Sequence, residues 1–250
     1  MKDFERKFNW LPPGLRRTVD SVRWFFLRLR RQHSYYERED RREFFRRAFV
    51  ALEFNKIHGD YAEFGCHGGM TIGLAYHESR RFGRPGKLWA FDSFAGLPPQ
   101  VGLQDEHPEW IAGAMRTGLD EFHLICRYNR IPRSAYEVVP GYYEDTLADT
   151  SLGGGLPSNI ALAYIDCDLY SSTLSVLKFL LPRLKHGMIL AFDDYYCWSG
   201  TQVSGERRAC AEIFADNHEW VLVPYHQFGW PGMSFVVESK HLKGGTGASY

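Results

Sequence analysis

The sequence predicts an α/β architecture: an open, mostly parallel β-sheet with helices on both faces. Three observations carry that prediction. Short apolar strand-like segments alternate with helical segments from Asp60 onward, the pattern of repeated strand–helix–strand units. Two of the strands, "IALAYIDCD" and "GMILAFDDY", are almost wholly apolar, as strands covered on both sides must be. Glycine or aspartate stands at the end of one strand after another, at Gly65, Asp92, Gly141, Asp166 and Asp193. In open α/β sheets, ligands sit beyond the carboxyl ends of the strands.

The elements follow in chain order. Pro12, Pro13 and Gly14 break the opening stretch. From Tyr36 to Asn55 a helix is expected, because Phe45, Phe49 and Leu52 recur at helical spacing; Gly59 and Asp60 stop it. "DYAEFGC" reads as a strand running into a glycine loop, and "MTIGLAYHESRRFG" as the helix after it, closed by Gly83. "KLWAFDSF" is a second strand, and "AGLPPQVGLQDEHPEW" a Pro- and Gly-rich loop suited to covering a site. "WIAGAMRTGLDEFHLICRYN" is expected to be helical, "YEVVPG" a short strand and "YYEDTLAD" a short helix. After the loop "SLGGGLPSN" come the strand at Ile160, the helix "SSTLSVLKFLLPRL", the strand "GMILAFDDY" and the helix "GERRACAEIFADN". "EWVLVPY" and "GMSFVVES" read as two late strands, adjacent in the sheet. The division expected is a basic arm or helix over 1–35, a main domain over 36–239 and a flexible tail over 240–250.

Composition bounds the function. A chain of 250 residues, 44% hydrophobic, suits one such domain with some decoration. Formal net charge is zero, so no global electrostatic case exists for a nucleic-acid partner. The charge is uneven: Met1–Val50 carries 14 Lys+Arg against 7 Asp+Glu, and the remainder 16 against 23. A basic stretch of this kind is ordinarily a solvated face; "WFFLRLRR" could also lie on a membrane surface. Five cysteines at no zinc-binding spacing point to a reduced, cytoplasmic setting. Charges interrupt the first residues, so no signal peptide is expected. The apolar run Val22–Leu29 holds Arg23 and Arg28 and falls far short of the ~20 residues that span a bilayer.

Chemistry concentrates at the strand ends. "EFGCHGGMT" places Gly65, Gly68 and Gly69 between strand and helix, where backbone N–H groups can approach a ligand. The spacing is not G-x-G-x-x-G, which disfavours a nicotinamide dinucleotide. Asp92, 27 positions beyond Gly65, stands where a carboxylate accepts hydrogen bonds from ribose hydroxyls, although an Asx turn in "DSF" uses the same residue. "YIDCDLYSST" and "LAFDDYY" bring Asp166, Asp168, Asp193 and Asp194 to one sheet edge. Four converging carboxylates repel one another, and a hard divalent cation such as Mg²⁺ offsets this with oxygen ligands. The alternative is that each caps the helix after it, a task Ser171, Ser172 or Thr173 can also perform.

"DYAEFGCHGGMTI", "FDSFAGLP", "PGYYEDTL", "YIDCDLYSST" and "DDYYCWSG", in this order, resemble the macrocin O-methyltransferase family over roughly Arg41 to Ser239. The resemblance implies a Rossmann-like class I methyltransferase fold with a seven-stranded sheet. It implies transfer of a methyl group from S-adenosylmethionine, with Mg²⁺, to a sugar hydroxyl of a glycoside or polyol acceptor. It places Glu63, Gly65 and Thr71 around the methionine part of the cofactor, Asp92 on the ribose, and Gly141 and Tyr142 near the adenine. It assigns Asp166, Asp193 and Asp194 to the metal and Asp168 to the general base, and it implies a homo-oligomer. Other metal-dependent O-methyltransferases carry Lys or His three positions after the first metal ligand. Here that position is Leu169, which counts against a catechol or phenol acceptor. A non-catalytic cofactor- or membrane-binding module, or a metal-dependent hydrolase, are the competing readings; the hydrolase leaves the glycine loop and Asp92 without a purpose. Trp110, Trp198 and Trp230 are candidates to line the acceptor pocket.

Overall fold

The computed structural model describes residues 35–82, 86–148 and 155–242. The expected basic arm, with "WFFLRLRR", therefore lies outside the described residues except for its last position, as does the expected tail beyond Leu242. The chain divides into two units, 1–40 and 41–250. Residues 35–54 are helical (α1), and those from Arg41 on belong to the larger unit, described here.

The larger unit then runs β1 (Asp60–Phe64), α2 (Met70–Phe82), β2 (Leu88–Asp92), α3 (Leu119–Tyr128), β3 (Tyr136–Pro140), α4 (Tyr143–Thr146) and β4 (Ile160–Ile165). It continues with α5 (Tyr170–Leu180), β5 (Ile189–Phe192), α6 (Gly205–Ala215), β6 (Trp220–Phe228) and β7 (Gly232–Ser239). The seven strands form one sheet in the order β3-β2-β1-β4-β5-β7-β6, all parallel except β7, which runs antiparallel to β5 and β6. The order reverses between β1 and β4, so the crevice above those two strands is the topological switch point.

Alternation along the strands builds a core on each face. Tyr61, Tyr164, Ile189 and Ala191 face the side covered by α1, α2 and α3. Ala62, Phe64, Ala163, Ile165, Leu190 and Phe192 face the side covered by α5 and α6. All six side chains of β4 are buried, the mark of a central strand covered on both faces. Helix α1 contributes Phe44, Phe45, Ala48, Phe49 and Leu52 to the first core; Phe44 stacks on Phe228 at 4.5 Å and Phe45 on Tyr164 at 5.3 Å. Each such ring contributes about 1.5–3 kcal/mol by leaving water.

One expected helix is shorter than its sequence pattern. Of residues 110–129, only Leu119–Tyr128 is helical. Gly113 and Met115 hold φ of 77° and 56°, left-handed values that no α-helix accommodates. Trp110, buried at 5% exposure and stacked on His107 at 4.2 Å, is instead an anchor of the preceding loop. No described helix is long and apolar enough to cross a membrane.

Candidate active site

The parallel ladder does not end with the strands. Gly65 N–H donates to Phe91 at 2.9 Å, Asp166 N–H to Phe64 at 2.8 Å, Asp193 N–H to Ile165 at 2.8 Å and Gly141 N–H to Asp92 at 2.9 Å. The residues flagged at the strand ends therefore stand side by side along one rim. Gly65 makes this possible: at φ 93°, a Cβ there would lie 1.8 Å from the Asp166 carbonyl oxygen.

A cleft opens over this rim, lined by Gly65, Thr71, Asp92, Gly141 and Tyr142 on one side and by Asp166, Asp168 and Asp193 on the other. Ser93, Gly96, Leu97, Pro98 and Met115 of the connecting loop wall it, as the loop's composition suggested. Hydrogen bonds tie the loop to α5 and to the glycine turn. Asp105 accepts hydrogen bonds from Ser171 N at 2.9 Å and Ser171 Oγ at 2.8 Å, closing the first turn of α5 from a distance. Thr117 Oγ1 accepts from Gly68 N at 3.0 Å and lies 3.1 Å from His67 Nδ1.

On the glycine-loop side, polar groups are already partnered. Asp92 accepts from Cys66 N at 2.7 Å through one oxygen and from Phe94 N at 2.6 Å through the other. The second bond is the Asx turn, so Asp92 both shapes its loop and presents a carboxylate to the cleft. Burial pushes its pKa up. Glu63 does not line the cleft. It is fully buried behind it, accepting from Thr71 Oγ1 at 2.7 Å and from the Tyr61 hydroxyl. Burial raises its carboxyl to about 7, even though both hydrogen bonds act to lower it. Thr71 is the group through which Glu63 reaches the cleft.

On the other side, acids converge. Asp166, Asp168 and Asp194 bring one carboxylate oxygen each within 4.8 Å of one another. Burial, and then the charges of Asp193, Asp194 and Asp168, push Asp166 well above the usual carboxylate range. Asp168 and Asp194 are raised first by burial and then by neighbouring carboxylates. Asp168 holds φ of 59°, a left-handed conformation Asp tolerates better than most residues. The capping alternative is not realised for α5 or α6, which begin without a side-chain cap from these acids.

Asp193 stands differently from the other three. The Arg41 guanidinium grips it bidentately, Nε at 2.8 Å from one oxygen and Nη2 at 2.7 Å from the other. The Tyr164 hydroxyl donates to it as well. Both members of the ion pair are buried, at 8% exposure each. The structure thus brings Asp168 into the close acidic trio and holds Asp193, the ligand the resemblance named, on an arginine.

Sequence reasoning missed Arg41, Asp105 and Glu206. Arg41 lies on the stripe of Phe44, Phe45, Ala48, Phe49 and Leu52, and Glu206 on the stripe of Ala209 and Cys210. A charged residue at an apolar-stripe position was the available signal for both. Asp105, in an irregular loop, offered none. The three tryptophans diverge: Trp110 is buried, whereas Trp198 and Trp230 are 39% and 60% exposed.

A seven-stranded sheet of this order, with a glycine turn after β1, an aspartate ending β2 and acids ending β4 and β5, defines the class I methyltransferase fold. Within that class the chain belongs to the macrocin O-methyltransferase (TylF) family, whose model matches residues 37–218. The chain is 29% identical over 155 residues to the 8-demethyl-8-(2,3-dimethoxy-alpha-L-rhamnosyl)-tetracenomycin-C 4'-O-methyltransferase of Streptomyces olivaceus, covering 56% of this chain and 54% of that protein. The chain thus spans about half the length of the curated relatives it matches. Among solved structures, the O-methyltransferase NovP superposes with a TM-score of 0.63 at 23% identity, over 79% of each chain. The calicheamicin methyltransferase CalS11 superposes with a TM-score of 0.60 at 20% identity, over 94% of this chain and 90% of its own.

Proposed function

We propose that this protein is an S-adenosylmethionine- and Mg²⁺-dependent O-methyltransferase acting on a sugar hydroxyl of a glycoside natural product. The observation that carries the reading is one cleft lined by Asp92 on one side and by Asp166, Asp168 and Asp193 on the other, with Asp194 grouped against Asp166 and Asp168. Family membership and the sugar-modifying relative above support it. S-adenosylmethionine would supply an electrophilic methyl on a sulfonium centre. Asp92 would receive its ribose hydroxyls, Gly65 and Thr71 its methionine part, and Gly141 and Tyr142 its base. Glu63 would act through Thr71.

The carboxylates fit a hard cation: they are oxygen donors, close together, and their mutual repulsion is what such an ion relieves. Asp166 and Asp194 would hold it; Asp193 would join them by sharing or leaving Arg41. A bound divalent ion supplies positive charge that lowers the cost of deprotonating a nearby acceptor hydroxyl. Asp168, whose carboxylate lines the cleft, would take that proton. The neighbouring Leu169 is fully buried and cannot do so, which favours a sugar over a catechol acceptor. Placing the acceptor oxygen in line with methyl carbon and sulfur supplies about 7–11 kcal/mol through proximity.

The test is transfer of labelled methyl from S-adenosylmethionine to a panel of rhamnosides and catechols, with and without Mg²⁺. Sugar methylation that needs Mg²⁺ and falls about 1000-fold or more in Asp166→Ala is the expected result. Full turnover by that variant without added metal would remove the metal from the reading.

A further inference from the structure

The two acid-bearing loops are separate in sequence, and a third element ties them together. Glu206, at the start of α6, is fully buried. Its Oε1 accepts the N–H of Cys167, between Asp166 and Asp168, at 2.9 Å. Its Oε2 accepts the N–H of Asp194 at 2.9 Å. One carboxylate thus spans the loop after β4 and the loop after β5. The residue before it completes the grip. Gly205 holds φ of 57°, and a Cβ there would lie 2.9 Å from the Asp168 carbonyl oxygen, so only glycine lets the helix start sit this close.

The placement is chemically unexpected. A fifth carboxylate beside four others adds to the repulsion, and burial together with the Asp194 charge acts to raise its pKa. If the position served packing alone, an apolar residue like its stripe partners Ala209 and Cys210 would cost less. What an apolar residue cannot do is accept two backbone N–H groups from two loops at once.

We propose that Glu206 is a positioning residue that fixes the spacing of Asp166 and Asp168 relative to Asp194, and thereby the cation preference of the site. This rests on the reading that these acids hold a divalent cation. Mg²⁺ demands near-ideal octahedral geometry, whereas Ca²⁺ accepts varied ligand arrangements. A loosened pair of loops should therefore lose Mg²⁺ more than Ca²⁺. Glu206 touches neither cation nor substrate; it acts through the backbone of the residues that do.

The experiment is calorimetric titration of the full chain with Mg²⁺ and, separately, Ca²⁺, in the wild type, Glu206→Asp and Glu206→Gln, each checked for folding by thermal melting. Asp keeps the charge but is one methylene too short to span both loops. Gln keeps the length but puts an N–H₂ against one backbone N–H. Both variants are expected to weaken Mg²⁺ about 10–100-fold, the range for residues that orient metal ligands, with a smaller loss for Ca²⁺. Glu206→Asp binding Mg²⁺ like the wild type while Glu206→Gln does not would make Glu206 a charge and overturn the positioning role. Wild-type affinities in both variants, with only the melting temperature lowered, would make it structural and overturn it equally. A wild type that binds no Mg²⁺ removes the cation reading itself, a failure seen before any variant is made.

Discussion

The two halves of the rim both carry carboxylates but partner them differently. On the β2–β1 side, the carboxylates are already served by the protein: Asp92 by two backbone N–H groups, Glu63 by two hydroxyls. On the β4–β5 side, Asp166, Asp168 and Asp194 crowd together, and Arg41 grips their neighbour Asp193. The first half is organised for hydrogen bonding to a polar ligand. The second carries charge that a cation would neutralise. Gly65 against the Asp166 carbonyl is where the halves touch.

That contact gives the largest expected effect. Gly65→Ala would force a methyl to 1.8 Å from a backbone oxygen at a positive φ, and a destabilisation of about 4 kcal/mol or more in urea unfolding should follow. A loss below about 1 kcal/mol, an ordinary substitution's cost, would mean that the two halves are not held in this close approach.

Next is the acidic half's own counter-charge. Arg41→Ala leaves Asp193 buried without its guanidinium, and the expected cost is about 3–5 kcal/mol in metal-free protein. Saturating Mg²⁺ should recover part of it, because the cation then shares the neutralisation. Arg41→Lys, keeping the charge without the bidentate fork, should lose less. If Arg41→Ala were as stable as wild type without metal, Arg41 would not be the counter-charge of this half.

The smaller effect belongs to the other half. The Glu63 carboxyl is held at about 7 in the folded chain, above its ordinary 4.5. Between those values the folded protein keeps a proton that the unfolded chain has released. Stability from this group is therefore fully present below pH 4.5 and lost as pH rises to about 7, in total about 3 kcal/mol. Glu63→Gln should remove that slope, read as the difference between the two proteins' unfolding free energies across the interval. Parallel curves would show that Glu63 ionises normally.

Much of the rim was legible in the sequence, because parallel α/β sheets put strand ends at one edge whatever the details. The glycine loop, Asp92 and the two acid pairs are local motifs, and each ends a strand as its pattern indicates. Contacts between remote segments were not legible. Arg41 reaches Asp193 across 152 positions, and Asp105 reaches Ser171 across 66. Both are side chains whose partners are chosen by tertiary packing. The helix expected from Trp110 failed because positive φ at Gly113 and Met115 overrides a helical composition. Glu63 looked like a cleft residue by position, yet the alternation of β1 turns it into the core below Thr71.

The most direct test of the two-half account is calorimetric titration with S-adenosylmethionine and with Mg²⁺, each on wild type, Asp92→Asn and Asp166→Asn. The account predicts a double separation. Asp92→Asn should weaken S-adenosylmethionine about 10-fold or more and leave Mg²⁺ unchanged, since a charged acceptor's hydrogen bonds are worth about 1.5–3 kcal/mol each. Asp166→Asn should do the reverse. Equal loss of both ligands in both variants, or no S-adenosylmethionine binding by the wild type, would contradict it.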